Sequence, residues 1–379
     1  MTTTPHLGRG KKVLFAVLAL LLFFGLAEFG FRIVIALTSD RLVSMIGDYK
    51  QRYYSRINQE LAYKPHPYFG YVRRDKGARD GINSLGFWGE EIDLTKPPNT
   101  LRVVALGGST TAGPTAWPYQ LERVLRTRLE GTEVEVLNLG IGGWTSAEAL
   151  SAFAMVGLSY SPDMVVIHCV NNDMEPMRAI EPRVDYSHYR RAMDVVQTDR
   201  GHATFKQDTA DVLDAIAAQW SDLYVYAKLF QSGTVARRAS LHQLTTWQIP
   251  TTAEPSDDGI AIFERNLRSI GALAKANGAI TVLTTMPALQ TRRPGIPTVP
   301  DGHLRSLDAQ NRRLRALATR EGWVMADLAS LSEELTPYFE DAIHVDIRGE
   351  QLKAEAIADA LYSASVLQAS TDLEVRPVE

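Results

Sequence analysis

The sequence predicts an α/β fold in which a parallel five-stranded sheet lies between two layers of helices. Apolar, strand-like runs alternate with helical patterns from residue 101 to residue 361, and such alternation is typical of a parallel sheet with helices on both faces. Glycine-rich or polar loops follow the predicted strands. Because parallel strands end at one edge of a sheet, these loops are expected to lie close together, where open α/β sheets bind ligands.

Each predicted strand is short and apolar, and each is followed by a helix. The strands are residues 101–106, 133–139, 163–170, 279–285 and 323–328. Two helix ends carry local signals, namely Pro118 in a first turn and Asn277-Gly278 after a last turn. The helices are residues 118–130, 146–158, 259–276, 303–321 and 349–361.

Composition excludes several classes of protein. The chain has 379 residues, of which 45% are hydrophobic and 22% charged, as in a globular protein with a substantial core. A net charge of -4 leaves no basic surface for nucleic acid. Cys169 is the single cysteine, so no intrachain disulfide forms. No Cys/His cluster has metal-ligand spacing, and we expect neither a metal nor an organic cofactor.

The N-terminal segment has the pattern of a membrane anchor. Residues 13–37 are almost uniformly apolar and long enough to cross a bilayer as a helix. Glu28 and Arg32 interrupt this run four residues apart, so they can pair on one helix face. A cleavable signal peptide with Gly25 and Ala27 before the cut is the alternative. Both interpretations export the rest of the chain, to the periplasm or cell surface if anchored and as a secreted protein if cleaved.

The remaining organisation follows from composition. Residues 1–12 are expected to form a cytoplasmic tail, 38–100 a stalk and lead-in, 101–365 the α/β domain and 366–379 a C-terminal tail. Residues 64–100 are rich in Pro, Gly and aromatic residues, which predicts a segment that wraps the sheet or lines the site. Residues 174–258 form an insertion with a helical pattern around 209–230. It is interpreted either as a lid or substrate-selecting element or as a peripheral decoration.

The first loop presents one small hydroxyl at the end of a strand. The run LRVVALGGSTTAG places Ser109 directly after two glycines. A phosphate-binding loop is excluded because Pro114 follows the last glycine, where a lysine is required. The nucleophile elbow of α/β-hydrolases is also excluded, because it requires a glycine where Thr111 stands. Alternatively, Ser109 simply caps the next helix.

Three further loops supply partners for serine chemistry. They are residues 138–146 (NLGIGGWTS), 171–173 (NND) and 341–344 (DAIH). Acyl transfer needs a nucleophile, a base, a group that orients the base, and donors for the oxyanion. We assign Ser109 as nucleophile, His344 as base and Asp341 as the orienting carboxylate. The backbone N–H groups of Ser109 and Gly143 and the amide of Asn172 are the expected oxyanion donors.

Several neighbours compete for these roles. Asp346 is an alternative partner for His344, and Asn171 is an alternative to Asn172. Asp173 is expected to brace its own loop rather than react. Trp144 follows the oxyanion glycine and is interpreted either as a sugar-stacking platform or as a core residue.

The blocks LGGSTTAG, NLGIGGWTS, VNND and DAIH resemble the SGNH/GDSL hydrolase family, whose Ser, Gly, Asn and His lie in four separated blocks in this order. The resemblance covers roughly residues 83–361. It implies a flavodoxin-like three-layer fold with strand order 2-1-3-4-5, and it matches the five residues assigned above. The sequence departs from the family pattern in two places. GGST replaces GDS, and Val170 stands where a glycine usually precedes the Asn, which predicts a less open loop.

These observations predict an extracytoplasmic, membrane-anchored serine esterase. The expected substrate is a small-molecule or carbohydrate ester with an acetyl or other short acyl group, and location and resemblance suggest cell-envelope carbohydrate. An O-acyltransferase that uses the same site is the first alternative, because water and an acceptor hydroxyl can attack the same acyl-enzyme. A catalytically weak binding or assembly protein is the second.

Overall fold

A computed structural model describes residues 8–39, 63–74, 81–190, 249–291 and 301–367, with shorter pieces at 42–43, 46–47, 50, 196–199, 202–205, 216–232 and 296. The chain divides into two compact units. One comprises Met1–Ala62 and Phe205–Leu241, and the other comprises Tyr63–Thr204 and His242–Glu379.

The larger unit contains the strands. They are β1 (Tyr63–His66), β2 (Gly70–Arg73), β3 (Thr100–Gly107), β4 (Glu133–Asn138), β5 (Met164–His168), β6 (Val196–Asp199), β7 (His202–Phe205, whose last residue belongs to the smaller unit), β8 (Ile280–Thr284) and β9 (Val324–Ala326). The helices whose bounds the structure describes are α1 (Arg9–Thr38), α2 (Trp117–Arg128), α3 (Ser146–Met155), α4 (Met174–Met177), α5 (Asp222–Ser232), α6 (Asp257–Ala276), α7 (Asp301–Glu321) and α8 (Ile347–Ser363).

The central sheet is parallel and has the order β4-β3-β5-β8-β9. This is the predicted order 2-1-3-4-5, so the predicted fold class is confirmed. Strand β3 lies between β4 and β5, where Val104 pairs with Leu137 on one side and Val165 on the other. All eight residues of β3 are buried, as expected for a strand covered on both faces.

Helices cover the two faces of the sheet. On one face, α2 and α8 pack together over Val103 and Ala105 of β3. On the opposite face, α3 packs against β3, and α6 packs against α3, β5 and β8. All five predicted helices of the α/β domain are present. The second ends at Met155 rather than at residue 158, because residues Gly157–Tyr160 turn into a separate 3₁₀ helix.

The lead-in segment packs against the loop that follows β4. Strands β1 and β2 form an antiparallel hairpin. Phe69 in its turn and Phe87 further along both lie against the indole of Trp144, with ring centroids 5.7 and 5.9 Å away. Phe69 and Phe87 therefore belong to the core beside the predicted site.

In the smaller unit, α1 is the one helix among the described residues that is long and apolar enough to cross a membrane. Arg32 pairs with Glu28 as predicted, with Nε and Oε1 2.8 Å apart. Glu28 also accepts hydrogen bonds from Ser221 Oγ and from the backbone N–H of Asp222 at the start of α5. Most of the predicted stalk, and residues 209–215 of the predicted insertion helix, lie outside the described residues.

Candidate active site

The four predicted loops meet at the carboxyl end of the sheet. Ser109 follows β3, and the loop with Gly143 follows the neighbouring strand β4. Asn172 follows β5 on the other side of β3, while His344 lies between β9 and α8. Since β3 is flanked by β4 and β5, the strand order itself places Ser109 between the other loops.

Ser109, His344 and Asp341 form a continuous chain of hydrogen bonds. The Nε2 atom of His344 lies 2.7 Å from Ser109 Oγ, and its Nδ1 atom lies 2.7 Å from Asp341 Oδ2. The other carboxylate oxygen of Asp341 accepts the backbone N–H groups of His344 and Ile343 at 2.8 and 2.9 Å. The loop therefore holds the carboxylate, and the carboxylate orients the imidazole.

The electrostatics suit a carboxylate that stays ionised. Burial works against the charge on Asp341, but hydrogen bonds from the His344 ring and from two backbone N–H groups outweigh it and lower the pKa of Asp341 to about 2. The carboxylate is thus negative near neutral pH. It can accept a hydrogen bond from Nδ1–H of His344, which favours the tautomer whose Nε2 carries no proton and faces Ser109.

The competing carboxylate has a different partner. Asp346 is the N-cap of α8 and accepts the backbone N–H groups of Arg348 and Gly349 at 2.9 and 3.0 Å. The structure therefore brings His344 together with Asp341 and uses Asp346 to begin the helix.

Asn172 lies beside the serine loop. Its Nδ2 atom donates to the Trp144 carbonyl at 2.8 Å. The same amide lies so close to Gly108 that a Cβ there would overlap it. Asn171 instead places its side-chain oxygen 3.3 Å from His303 Nε2. Val170 is buried, and its φ of -176° lies outside the left-handed region that favours glycine, so the backbone here does not require the glycine that the family usually has.

The loop after β4 brings two glycines next to the serine. A Cβ on Gly142 would lie 3.9 Å from Ser109 Cβ, and Gly143 has a φ of 80°, a conformation that favours glycine. Neither Ser109 N–H nor Gly143 N–H donates a hydrogen bond to any described part of the chain. Both donors are therefore available to a ligand.

Buried polar side chains bind the backbone of the loop that carries Ser109. Lys353 of α8 donates to the Thr110 carbonyl at 3.1 Å and pairs with Glu350 at 3.0 Å. Asn138 donates to the Thr111 carbonyl at 2.9 Å and accepts from Gly140 N–H, which ties the first loop to the second. These contacts fix the backbone directly after Ser109.

Asp173 is fully buried, and its side chain binds the beginning of α3 and the insertion rather than its own loop. It accepts the backbone N–H and hydroxyl of Ser146 at the start of α3, and the hydroxyl of Tyr186 at 2.8 Å. Burial raises the pKa of Asp173 to about 7, although the hydrogen bonds from Ser146 and Tyr186 oppose the rise.

This raised pKa makes the stability of the larger unit depend on pH. Between about pH 4, the ordinary carboxyl pKa, and about pH 7, Asp173 is protonated in the folded state but ionised in the unfolded state. The folded state therefore binds more protons in this range, and its stability falls as pH rises. For Asp173 alone the fall reaches about 1.4 kcal/mol per pH unit. We expect Asp173→Asn, which carries no charge, to lose this pH dependence when Tm of the full-length chain in detergent is measured between pH 4.5 and 8.

The exposed Asp185 is the control, because its pKa is lowered rather than raised by its bonds to Ser187. Asp185→Asn should follow the wild-type pH profile over the same range. Identical profiles for wild type and Asp173→Asn would contradict the role given to the buried carboxylate.

Two residues near the site are core residues. Trp144 is 1% exposed and enclosed by aromatic rings, so the sugar-stacking alternative is wrong. His168 is equally buried, with Nδ1 2.6 Å from Thr284 Oγ1, and burial lowers its pKa well below the ordinary value. Among the described residues no group of three or more His, Cys, Asp or Glu side chains could hold a metal ion.

Sequence reasoning missed two side chains that contact the loop after β4. The hydroxyl of Tyr71 binds the Gly142 carbonyl, and the guanidinium of Arg190 binds the Gly143 carbonyl. Neither residue belongs to a motif. The aromatic run of the lead-in was the one sequence signal that pointed toward Tyr71, and none pointed to Arg190.

A sequence model of the GDSL-like lipase/acylhydrolase family matches residues 105–352. No curated protein sequence matches the chain. Solved structures with a similar chain include Axe2, an acetylxylan esterase from Geobacillus stearothermophilus, which is 15% identical, with 69% of this chain and 94% of that chain covered and a TM-score of 0.41.

Two other solved structures are similar to the same extent. LAE5, an alpha/beta hydrolase enzyme from the metagenome of Lake Arreo, Spain, is 14% identical, with 70% of this chain and 96% of that chain covered and a TM-score of 0.41. The acetyl xylan esterase AlAXEase is 14% identical, with 69% and 100% covered and the same TM-score of 0.41.

The family match covers all four loops of the site, from the end of β3 to the beginning of α8. The parallel sheet and its flanking helices carry these loops in the order that the sequence predicts. The chain therefore belongs to the GDSL-like lipase/acylhydrolase family and is a hydrolase that acts on ester bonds.

Proposed function

We propose that this chain is a serine esterase that removes a short acyl group, such as acetyl, from an O-acyl ester through an acyl-enzyme on Ser109. The hydrogen-bond chain from Asp341 through His344 to Ser109 is the observation that carries this proposal. It joins the orienting carboxylate, the base and the nucleophile that serine acyl transfer requires.

Acylation begins with attack of Ser109 Oγ on the ester carbonyl carbon, while the hydroxyl proton passes to Nε2 of His344. The negative charge that develops on the carbonyl oxygen faces the unoccupied N–H groups of Ser109 and Gly143 and the amide of Asn172. The bond to the alcohol oxygen then breaks, and the proton on His344 passes to the departing alcohol.

Deacylation repeats these steps with water as the nucleophile. Water gives its proton to His344 as it attacks the acyl carbon, and the proton returns to Ser109 Oγ when the carboxylic acid leaves. An acceptor hydroxyl in place of water would make the same site an O-acyltransferase, so the two activities differ only in the second nucleophile.

The walls of the site favour a small acyl group. Trp144, Val170 and Met286 line the small cavity beside Ser109, and all three are nearly fully buried. Val170 replaces the glycine that the family usually has, which removes further space. A carbohydrate ester outside the cytoplasm is the substrate we propose. The support for this location is that α1 is long and apolar enough to cross a membrane, as an N-terminal anchor would.

The test uses the full-length chain in detergent with p-nitrophenyl acetate, a fluorophosphonate probe and an added polysaccharide acceptor. We expect hydrolysis of p-nitrophenyl acetate, and we expect this ester to slow labelling of Ser109 by the probe. Acetyl esters should be hydrolysed faster than octanoyl esters. Acyl transfer to the acceptor in preference to water would favour the O-acyltransferase instead. Folded protein with neither labelling nor turnover would overturn the proposal and favour the binding or assembly role.

A further inference from the structure

Two successive carbonyl oxygens of the loop after β4 are bound by side chains from outside that loop. The Tyr71 hydroxyl, on β2, donates to the Gly142 carbonyl at 2.8 Å. The Arg190 guanidinium, from the insertion, donates to the Gly143 carbonyl through Nη2 at 2.6 Å. Since two adjacent glycines leave a backbone unusually free to rotate, these two bonds restrict the loop where it has least rigidity of its own.

The bond from Tyr71 determines where the proposed oxyanion donor points. A trans peptide unit is planar, and its C=O and N–H point in opposite directions. The Gly142 carbonyl and the Gly143 N–H belong to the same peptide unit. Holding the carbonyl oxygen on Tyr71 therefore holds the N–H toward the opposite side, away from β2.

Both side chains are themselves rigidly supported. Burial raises the pKa of Tyr71, so its hydroxyl remains a neutral donor, and the Trp144 indole donates to the Tyr71 carbonyl at 3.2 Å. Burial works against the charge on Arg190, but Glu148 outweighs it and the pKa of Arg190 is raised. Glu148 in turn accepts the backbone N–H and hydroxyl of Thr145, the N-cap of α3.

We propose that Tyr71 and Arg190 are positioning residues that hold the Gly142 and Gly143 carbonyls so that Gly143 N–H faces the oxyanion formed at Ser109. This inference rests on the proposed esterase function. Neither side chain touches the reacting atoms. It follows that the lead-in hairpin and the beginning of the insertion are both parts of the active site, because each contributes one of the two bonds.

The test measures ester hydrolysis and transition-state binding in the full-length chain. Tyr71→Phe removes the hydroxyl and keeps the ring. We expect kcat to fall about 10- to 100-fold with little change in KM, since misdirecting one oxyanion donor costs somewhat less than deleting it. Affinity for a phenylboronic acid, which forms a tetrahedral adduct on serine, should fall by the same factor. A purely structural loss would lower Tm or the labelled fraction and leave kcat per labelled site unchanged.

Arg190 is tested with variants that separate charge from geometry. Arg190→Met leaves Glu148 buried without its partner, so the double variant Arg190→Met/Glu148→Gln is used where the single variant does not fold. We expect both to lower kcat and boronate affinity about 10-fold, with partial recovery in Arg190→Lys, which keeps the charge but not the planar fork.

Matched controls remove the same groups elsewhere. Tyr362→Phe deletes a buried hydroxyl that has no partner among the described residues, and Arg126→Lys changes a guanidinium that donates to the Val134 carbonyl. Both should keep wild-type kcat and boronate affinity. An active wild type with an unchanged Tyr71→Phe would overturn the positioning role alone. A wild type without Ser109-dependent turnover or labelling would overturn the esterase function as well.

Discussion

Ser109→Ala is expected to reduce ester hydrolysis by about 10⁴-fold or more in kcat, because removing a triad nucleophile leaves only binding and oxyanion stabilisation. The hydroxyl lies 2.7 Å from His344 Nε2, and a methyl group at this position has no proton to transfer and no lone pair to attack. The loop should keep its structure, since its backbone is held by Lys353 and Asn138 rather than by the serine side chain. Initial rates with p-nitrophenyl acetate and fluorophosphonate labelling measure the loss.

Ser151→Ala is the matched control. Its hydroxyl bonds to the Ala147 carbonyl within α3, away from the site, and its removal should leave turnover and labelling unchanged. If Ser109→Ala kept activity within a few-fold of wild type, acyl transfer through this serine would be excluded.

His344→Gln is expected to be about as damaging as Ser109→Ala, again roughly 10⁴-fold or more in kcat. Glutamine can keep a hydrogen bond toward Ser109, but its amide cannot accept and return a proton. Because nucleophile and base act as one unit, the double variant Ser109→Ala/His344→Gln should lose little more than either single variant. Additive losses would mean that the two residues act in separate steps.

The carboxylates on either side of His344 provide the sharpest comparison. Asp341→Asn should lower kcat by about 10³- to 10⁴-fold, because an amide no longer selects the tautomer with Nε2 free. Asp346→Asn should leave kcat unchanged, since asparagine caps a helix as well as aspartate does. The reverse result would make Asp346 the partner of His344. Rates measured at one pH near neutrality suffice, because the lowered pKa keeps Asp341 ionised there.

Local patterns in the amino-acid sequence are sufficient to predict the elements of the fold and the four loops of the site. Periodicity and cap residues predict the five strands and five helices because they are local properties of a strand or a helix. Asp341 and His344 are three residues apart, so their hydrogen bond is also set by one short loop. The apolar run that forms α1 is equally local.

Contacts between residues far apart in the chain do not follow from local patterns. The strand order that places Ser109 between Gly143 and Asn172 came from family resemblance, because periodicity carries no information about which strands are neighbours. The sequence allows Trp144 to be either exposed or buried, and its contacts with Phe69 and Phe87 show that it is buried.

Tyr71 and Arg190 are the clearest examples of contacts that sequence patterns cannot predict. They lie 71 and 47 residues from the glycine carbonyls they bind, in segments without a motif. A hydrogen bond to a backbone carbonyl requires only a donor at the right position and no particular neighbouring residues. Such a bond therefore produces no sequence motif. The residues proposed to react stand in sequence motifs, whereas Tyr71 and Arg190 meet the loop after β4 only through the folding of the chain.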